Sequence, residues 1–242
     1  MLKIMTLNLW RYYEWGERKN NIISLIENEK PDIIALQEVQ TNLSFSSMPQ
    51  SDYLADEINY KYRVFSPTSE KVNQINKVGN MESRASHGLA IISTYPIISS
   101  ESYFLKRQST DKETRSVLFC KIETNQGVVD VCNVHFSNND KFADFQLKEL
   151  IDLCKEKDLK PVILGDFNLF SLDQYKNNYL MGYTVSTDIE KYMSYPKDNG
   201  TLDYIISPNA YMIKKIFCSN SYVSDHRAVL AKIDLSYSST IR

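Results

Sequence analysis

The stretch RSVLFCKIETNQGVVDVCNVHF, residues 115–136, reads as two apolar strands, Arg115–Glu123 and Val128–Phe136, joined by a turn at Asn125–Gly127. Val, Ile, Leu and Phe fill both runs, and a short Gly-containing connection between such runs is a hairpin signal. A hairpin makes its strands antiparallel, so the start of one lies beside the end of the other. Arg115 and His135 are therefore predicted to be neighbours.

Outward from this hairpin the chain keeps producing short apolar runs. Strands are predicted upstream at Lys3–Leu9, Asp32–Glu38, Lys61–Ser66, His87–Thr94 and Ile97–Leu105, and downstream at Pro161–Gly165, Leu202–Ser207, Met212–Cys218 and Arg227–Leu235. Helical stripes are fewer: Trp15, Ile22, Ile23 and Ile26 within Trp15–Glu29, a short one at Asp52–Asn59, and Ala143, Leu147, Leu150, Ile151 and Cys154 within Lys141–Lys157. So little helix excludes a barrel of eight βα units. It fits an α+β chain in which two β-sheets pack face to face with helices outside. No repeat or low-complexity linker divides residues 1–242, which predicts a single domain. The polar stretch Ser66–Ser86 reads first as a solvated loop and second as a lid in which Arg84 grips substrate.

Composition bounds the function. Hydrophobic residues at 43% and charged residues at 24% are ordinary globular values. A formal net charge of -2 excludes gripping nucleic acid by bulk charge, though not a local basic rim. Cys120, Cys132, Cys154 and Cys218 form no CxxC pair, and they read as buried free thiols. The opening MLKIMTLNLW lacks a signal-peptide pattern, and no run is long enough to span a membrane, so a reducing, cytoplasmic setting is expected.

Polar residues collect at strand ends. Asn8, Glu38 and His135 close their strands and Asp166 follows directly on Gly165, whereas His87, Arg115, Asp203, Asp225 and His226 sit at strand starts. If the first group of strands runs up and the second down, all of them reach one edge of the sandwich. Glu38, Asp166, Asp203 and Asp225 would repel there unless a cation neutralised them. Oxygen donors with Asn nearby and no thiol favour Mg²⁺ or Mn²⁺ over zinc. Such an ion, with Arg115 and the histidines, suits the negative charge that develops on a phosphate. Each residue alone has a plainer reading. Asp166 could cap the following turn with Asn168 starting an Asx-turn, Glu38 could be a solvated strand end, and Asp203 could join a surface ion pair. All three histidines of the chain fall on the same edge, and that conjunction decides for a phosphoester-hydrolase site.

The segments MTLNLW, DIIALQEVQ, HGLAIIS, NVHFS, VILGDFN, TLDYIIS and VSDHRAV follow in the order expected of the endonuclease/exonuclease/phosphatase superfamily, which the chain resembles from Asn8 to His226. The resemblance implies a DNase I-like, four-layer α/β sandwich with two mixed sheets, and a single catalytic domain. It implies Glu38 as principal metal ligand with Asn8 and Asp225 close by, Asp166 and Asn168 positioning and activating the attacking water, and His226 on the scissile phosphate. It further implies Asp203 hydrogen-bonding His226, and His135 and Arg115 on the phosphate or leaving group, with His87 a possible substrate contact. His135 and the segment Asn199–Leu202 depart from the abasic-site branch. They point toward the deadenylase-like, DNase I-like and tyrosyl-DNA phosphodiesterase-like branches, with Gln146 as a weaker match. The expected substrate is a phosphodiester, nucleic acid before a lipid or inositol phosphate, because no lipid-binding helix or hairpin is evident. No membrane or protein partner is expected, and an inert domain ranks last because Glu38, Asp166 and His226 are all present.

Overall fold

The computed structural model describes residues 1–42, 48–68, 85–111 and 113–236. Arg84 and most of the 66–86 segment lie outside the described residues. Alternation along the strands decides the architecture. In β1 (Leu2–Asn8) Leu2 and Ile4 point into one core while Met5 and Leu7 point into another. In β7 (Gly127–His135) Val129 and Val131 share the first of these cores, and Cys132 and Val134 face a third. A period of two places successive side chains on opposite faces, so both faces of each sheet are covered.

Among the described residues twelve strands form two six-stranded sheets. The first has the order β11 (Met212–Cys218), β12 (Val229–Asp234), β1, β2 (Ile33–Asn42), β4 (Ala85–Ser93), β3 (Tyr62–Pro67). The second has the order β5 (Ile97–Phe104), β6 (Ser116–Thr124), β7, β8 (Val162–Asp166), β10 (Asp203–Pro208), β9 (Tyr183–Val185). Only β1–β2 and β7–β8 pair in parallel, so both sheets are mixed. Helices α1 (Trp15–Glu29) and α2 (Gln50–Glu57) cover the outer face of the first sheet. Helix α3 (Asp140–Glu156) covers that of the second. Four layers result, as expected. The sequence reading missed β9 and the following turn of helix α4 (Ser186–Ile189), because three or four residues are too few to show a period. Cys120, Cys132 and Cys154 are buried free thiols, and Cys218 is half-buried.

Between the sheets the apolar core gives way to a polar bridge near the edge where β1 and β7 end. The Gln37 amide donates to Asn133 Oδ1 at 2.7 Å, and Asn133 Nδ2 donates to the Leu36 and Ala90 carbonyls, each at 2.9 Å. Thr6 Oγ1 completes the cluster, accepting from Gln37 Nε2 at 3.0 Å. These carbonyls flank a β-bulge in β2, where the register with β4 skips between Leu36 and Val39. Asn133→Ala would take the side-chain donor from two buried carbonyls and the Oδ1 acceptor from the Gln37 amide. The expected loss is about 3 kcal/mol or more, read as a lowered urea midpoint.

Candidate active site

The bulge in β2 has a purpose visible in its geometry. Gln37 and Glu38 together oppose Leu89 there, and Glu38 is held at φ 51°, a left-handed conformation uncommon for a residue with a long side chain. Bulges re-aim side chains beside active sites, and here the carboxylate is turned into a cleft of about 310 Å³. Asn8, Glu38, Arg115, His135, Asp166, Asn168, Asp225 and His226 all line that cleft. Asp203 lies directly behind it.

Three neighbouring strands set the floor. His135 on β7 and Asp203 on β10 are each in register with Asp166 on β8, so the three side chains stand in a row. Asp166 Oδ2 accepts from Asn8 Nδ2 at 3.0 Å and lies 3.5 Å from His135 Nε2 and 3.8 Å from His226 Nε2. Its Oδ1 accepts the Asn168 N–H at 3.0 Å, while the Asn168 amide donates to the Phe136 carbonyl at 2.9 Å. An Asx-turn is thus present, begun by Asp166 and not by Asn168, and it serves the site as well as the turn. Asn8 Oδ1 accepts the Trp10 N–H at 2.9 Å, so its amide here braces Asp166.

The two histidines that line the cleft are held in opposite states. His226 Nδ1 donates to Asp203 Oδ2 at 2.8 Å, and the Tyr195 ring packs 4.7 Å from the imidazole. Burial pulls His226 down, but the carboxylates of Asp203, Asp166 and Asp225 outweigh it and its pKa rises to about 10. Arg115 Nη1 lies 3.0 Å from His135 Nδ1, and a guanidinium can only donate, so Nδ1 accepts and the proton of neutral His135 sits on Nε2. Burial first, then Arg115, His226, His87 and Arg11, hold His135 well below its ordinary value. Burial also pushes Asp166 up, with Asp203 adding to it, to about 7 although His226, the Asn8 amide and the Asn168 N–H oppose the rise.

His87 does not reach the cleft. It is buried behind Arg11 and Arg115, and burial together with those cations lowers it to about 4 against the pull of Glu113. Gln146 is structural: its Oε1 accepts the Ser137 N–H at 2.7 Å and fixes the turn after His135.

Residues that the sequence did not single out complete the wall. Arg11 Nε lies 3.2 Å from Glu38 Oε2, and Glu113 bridges Arg115 at 2.9 Å and Arg11 at 3.7 Å. Arg11 sits in a loop with Trp10, Arg11 and Glu14 at positive φ. Fully buried Arg18 holds that loop. It donates to the carbonyls of Leu9 (3.0 Å), Arg11 (3.3 Å) and Tyr13 (2.8 Å), and across to Val223 (2.8 Å), just before Asp225 and His226. Arg18 therefore ties the Asn8 side of the cleft to the His226 side.

The donor set fits a hard cation. Glu38, Asp166 and Asp225 bring carboxylate oxygens and Asn8 an amide to one cleft with no thiol in its lining. Asp166, Asp203 and His226 offer atoms within 4.8 Å of one another, an acidic cluster of the kind that holds metal. An imidazolium has no lone pair to give, so within this cluster the carboxylates are the suitable ligands.

Residues 5–226 match the model of the Endonuclease/Exonuclease/phosphatase family. The chain belongs to this family. Its members are in general hydrolytic phosphoesterases and typically depend on a divalent metal. Sequence similarity extends to an uncharacterised protein of Acanthamoeba polyphaga mimivirus, 28% identical over 197 residues that cover 73% of this chain and 72% of that one. Among solved structures, an endonuclease/exonuclease/phosphatase from Beutenbergia cavernae superposes with a TM-score of 0.77 at 19% identity, over 97% of this chain and 71% of that one. The human nocturnin catalytic domain, solved with bound sulfate, gives a TM-score of 0.73 at 18% identity over 96% and 94%. At these identities the solved structures establish the shared fold.

Two outcomes are expected. In metal-free protein, imidazole NMR should show His226 titrating near 10 and His87 near 4. The raised His226 adds stability that is complete below the ordinary histidine value of about 6.5 and lost as pH climbs through about 10. The lowered His87 adds stability that is complete above about 6.5 and lost as pH falls through about 4. Arg18→Met should lower stability by about 3 kcal/mol or more in urea, because four carbonyl groups lose a buried donor.

Proposed function

We propose that this chain is a divalent-metal-dependent phosphodiesterase that acts on nucleic acid or on nucleic-acid ends, with Mg²⁺ or Mn²⁺ as the ion. The observation that carries the reading is the arrangement around Asp166: a buried carboxyl flanked by two imidazoles and an amide donor at the floor of one cleft, with Glu38 and Asp225 in the same lining. Glu38 and Asp225 would hold the ion, with the Asn8 amide beside them. When bound, it supplies positive charge against the phosphate and withdraws electrons from phosphorus.

The residues divide the remaining work. Asp166 accepts a proton from the attacking water, a role its pKa suits near neutral pH. Asn168, tied to Asp166 by its N–H and to the Phe136 carbonyl by its amide, keeps that carboxylate oriented. His226, cationic through its bond to Asp203, offers Nε2–H to a non-bridging oxygen as charge accumulates there. His135 presents its Nε2–H toward Asp166 and Glu38, positioned to donate to the leaving oxygen, and Arg115 holds its tautomer. Arg11 and Arg115 give the cleft its basic rim. A second reading, a hydrolase of small phosphate esters, draws on the modest cleft volume of about 310 Å³ and on the acidic Glu113, Asp140 and Asp198 beside it.

The test is a hydrolysis panel run with Mg²⁺, Mn²⁺ or EDTA, comparing the native protein with Asp166→Ala. It spans single-stranded and duplex DNA, RNA with a poly(A) tail, a 5′-tyrosyl DNA end, sphingomyelin and an inositol polyphosphate. Cleavage of a nucleic acid that EDTA abolishes and Asp166→Ala slows by about 10² to 10⁴-fold is expected. Turnover of the lipid or inositol substrate alone would replace it with the second reading, and full activity in excess EDTA would reject the metal. Glu38→Ala should weaken Mn²⁺ binding followed by electron paramagnetic resonance, a readout that needs no turnover.

A further inference from the structure

Phe170 is 54% exposed although it lies in the loop after Asp166 and only just beyond Asn168. Its ring is backed by Gly200, where a Cβ would come within 2.4 Å of Phe170 Cε1. Any larger residue at that position would displace the ring. An exposed aromatic held in place at the lip of a cleft adds little to folding, because much of its surface stays in water.

Beside it lies a second recess. Phe170 and Asp140 line both the cleft and a neighbouring groove of about 560 Å³, so the two adjoin at these residues. Buried Leu169 and Tyr175 contribute an apolar part of the groove's wall. Two of its carboxylates are already engaged: Asp144 by the Tyr175 hydroxyl at 2.8 Å and by Lys148 at 2.7 Å, and Asp173 by Lys176. Asp140 and Lys141 have no ion pair among the described residues and remain available to a polar edge. With Asp144 and Asp173 paired, the lining sets the Asp140 carboxylate against the Lys141 ammonium and holds no excess of positive charge to draw a second phosphate, whereas a neutral ring needs none.

We propose that this groove is a subsite for the planar heterocycle attached to the scissile phosphate, with Phe170 as its stacking platform. The proposal rests on the phosphodiesterase reading above and names the part of the substrate that the cleft does not hold. Aromatic rings stack on nucleobases of any sequence, and the contact is worth about tenfold or more in affinity per base. Polar contacts from Asp140 and Lys141 would then discriminate among base edges.

Calorimetric titration with the four common nucleoside 5′-monophosphates and with ribose 5-phosphate, all in Mg²⁺, tests this without turnover. In the native protein at least one nucleotide should bind about tenfold more tightly than ribose 5-phosphate. Phe170→Ala should close that gap and Phe170→Tyr should preserve it. Gly200→Val, which crowds the ring, should narrow it as well. Equal affinity of the native protein for all five ligands, or no measurable binding of any nucleotide, overturns the subsite. A gap that survives Phe170→Ala overturns the stacking role, and octyl phosphate outbinding every nucleotide would assign the groove to an apolar chain. A nucleotide preference seen in a protein inactive on every phosphodiester would leave the subsite standing and remove the catalytic reading instead.

Discussion

A carboxylate that is 1% exposed cannot hold its charge unaided, and the edge of this sandwich is organised around that constraint at Asp166. Water is replaced by an amide from β1, a backbone N–H from its own loop and two imidazoles from opposite sides. These partners do not neutralise it completely, and its pKa settles near 7. Had the surroundings been more generous, the group would be a fixed anion of low basicity. Had they been poorer, it would stay protonated and accept nothing. Asp203 and Arg115 complete the arrangement at one remove, each fixing the proton of a histidine that faces the cleft.

Supporting such a site costs local conformational freedom elsewhere. Glu38, Trp10, Arg11 and Glu14 all occupy the left-handed region, and none is glycine. The surrounding bonds over-determine them: Gln50 Oε1 accepts the Gln40 N–H at 2.9 Å, its amide donates to the Arg11 carbonyl at 2.8 Å, and Arg18 gathers the rest of the loop. Beneath them the Gln37–Asn133 bridge fixes one sheet against the other. Strain near the cleft is thus met by buried polar contacts rather than by tighter apolar packing.

The period-two and helical patterns made the layers legible, and hairpin geometry alone placed Arg115 beside His135. Strand ends carried the site because a sandwich edge gathers residues from strands of both directions, so Asn8, Glu38, Asp166 and His226 met as expected. His87 shared the pattern but stops short of the cleft, since nothing in a strand start says how deep its side chain lies. Arg11, Arg18 and Phe170 were illegible for another reason. Their contacts depend on loop conformations, and the hydrogen bonds of Arg18 in particular go to carbonyl oxygens, which every residue possesses. The bulge that turns Glu38 inward leaves no mark in an apolar run either.

The order of the strands has a consequence in time. β1 lies between β2 and β12, so among the described residues the first strand of the sheet is enclosed by the one latest in the sequence. Asp225 and His226 arrive on the connection that leads into β12, well after Asn8, Glu38, His135 and Asp166 have been synthesised. A growing chain therefore holds the acidic half of its cleft without the imidazolium that answers it, for several seconds at ordinary rates of elongation. Closure of the sheet and completion of the site are the same event. On this topology the cleft gains its imidazolium only as β12 is laid beside β1.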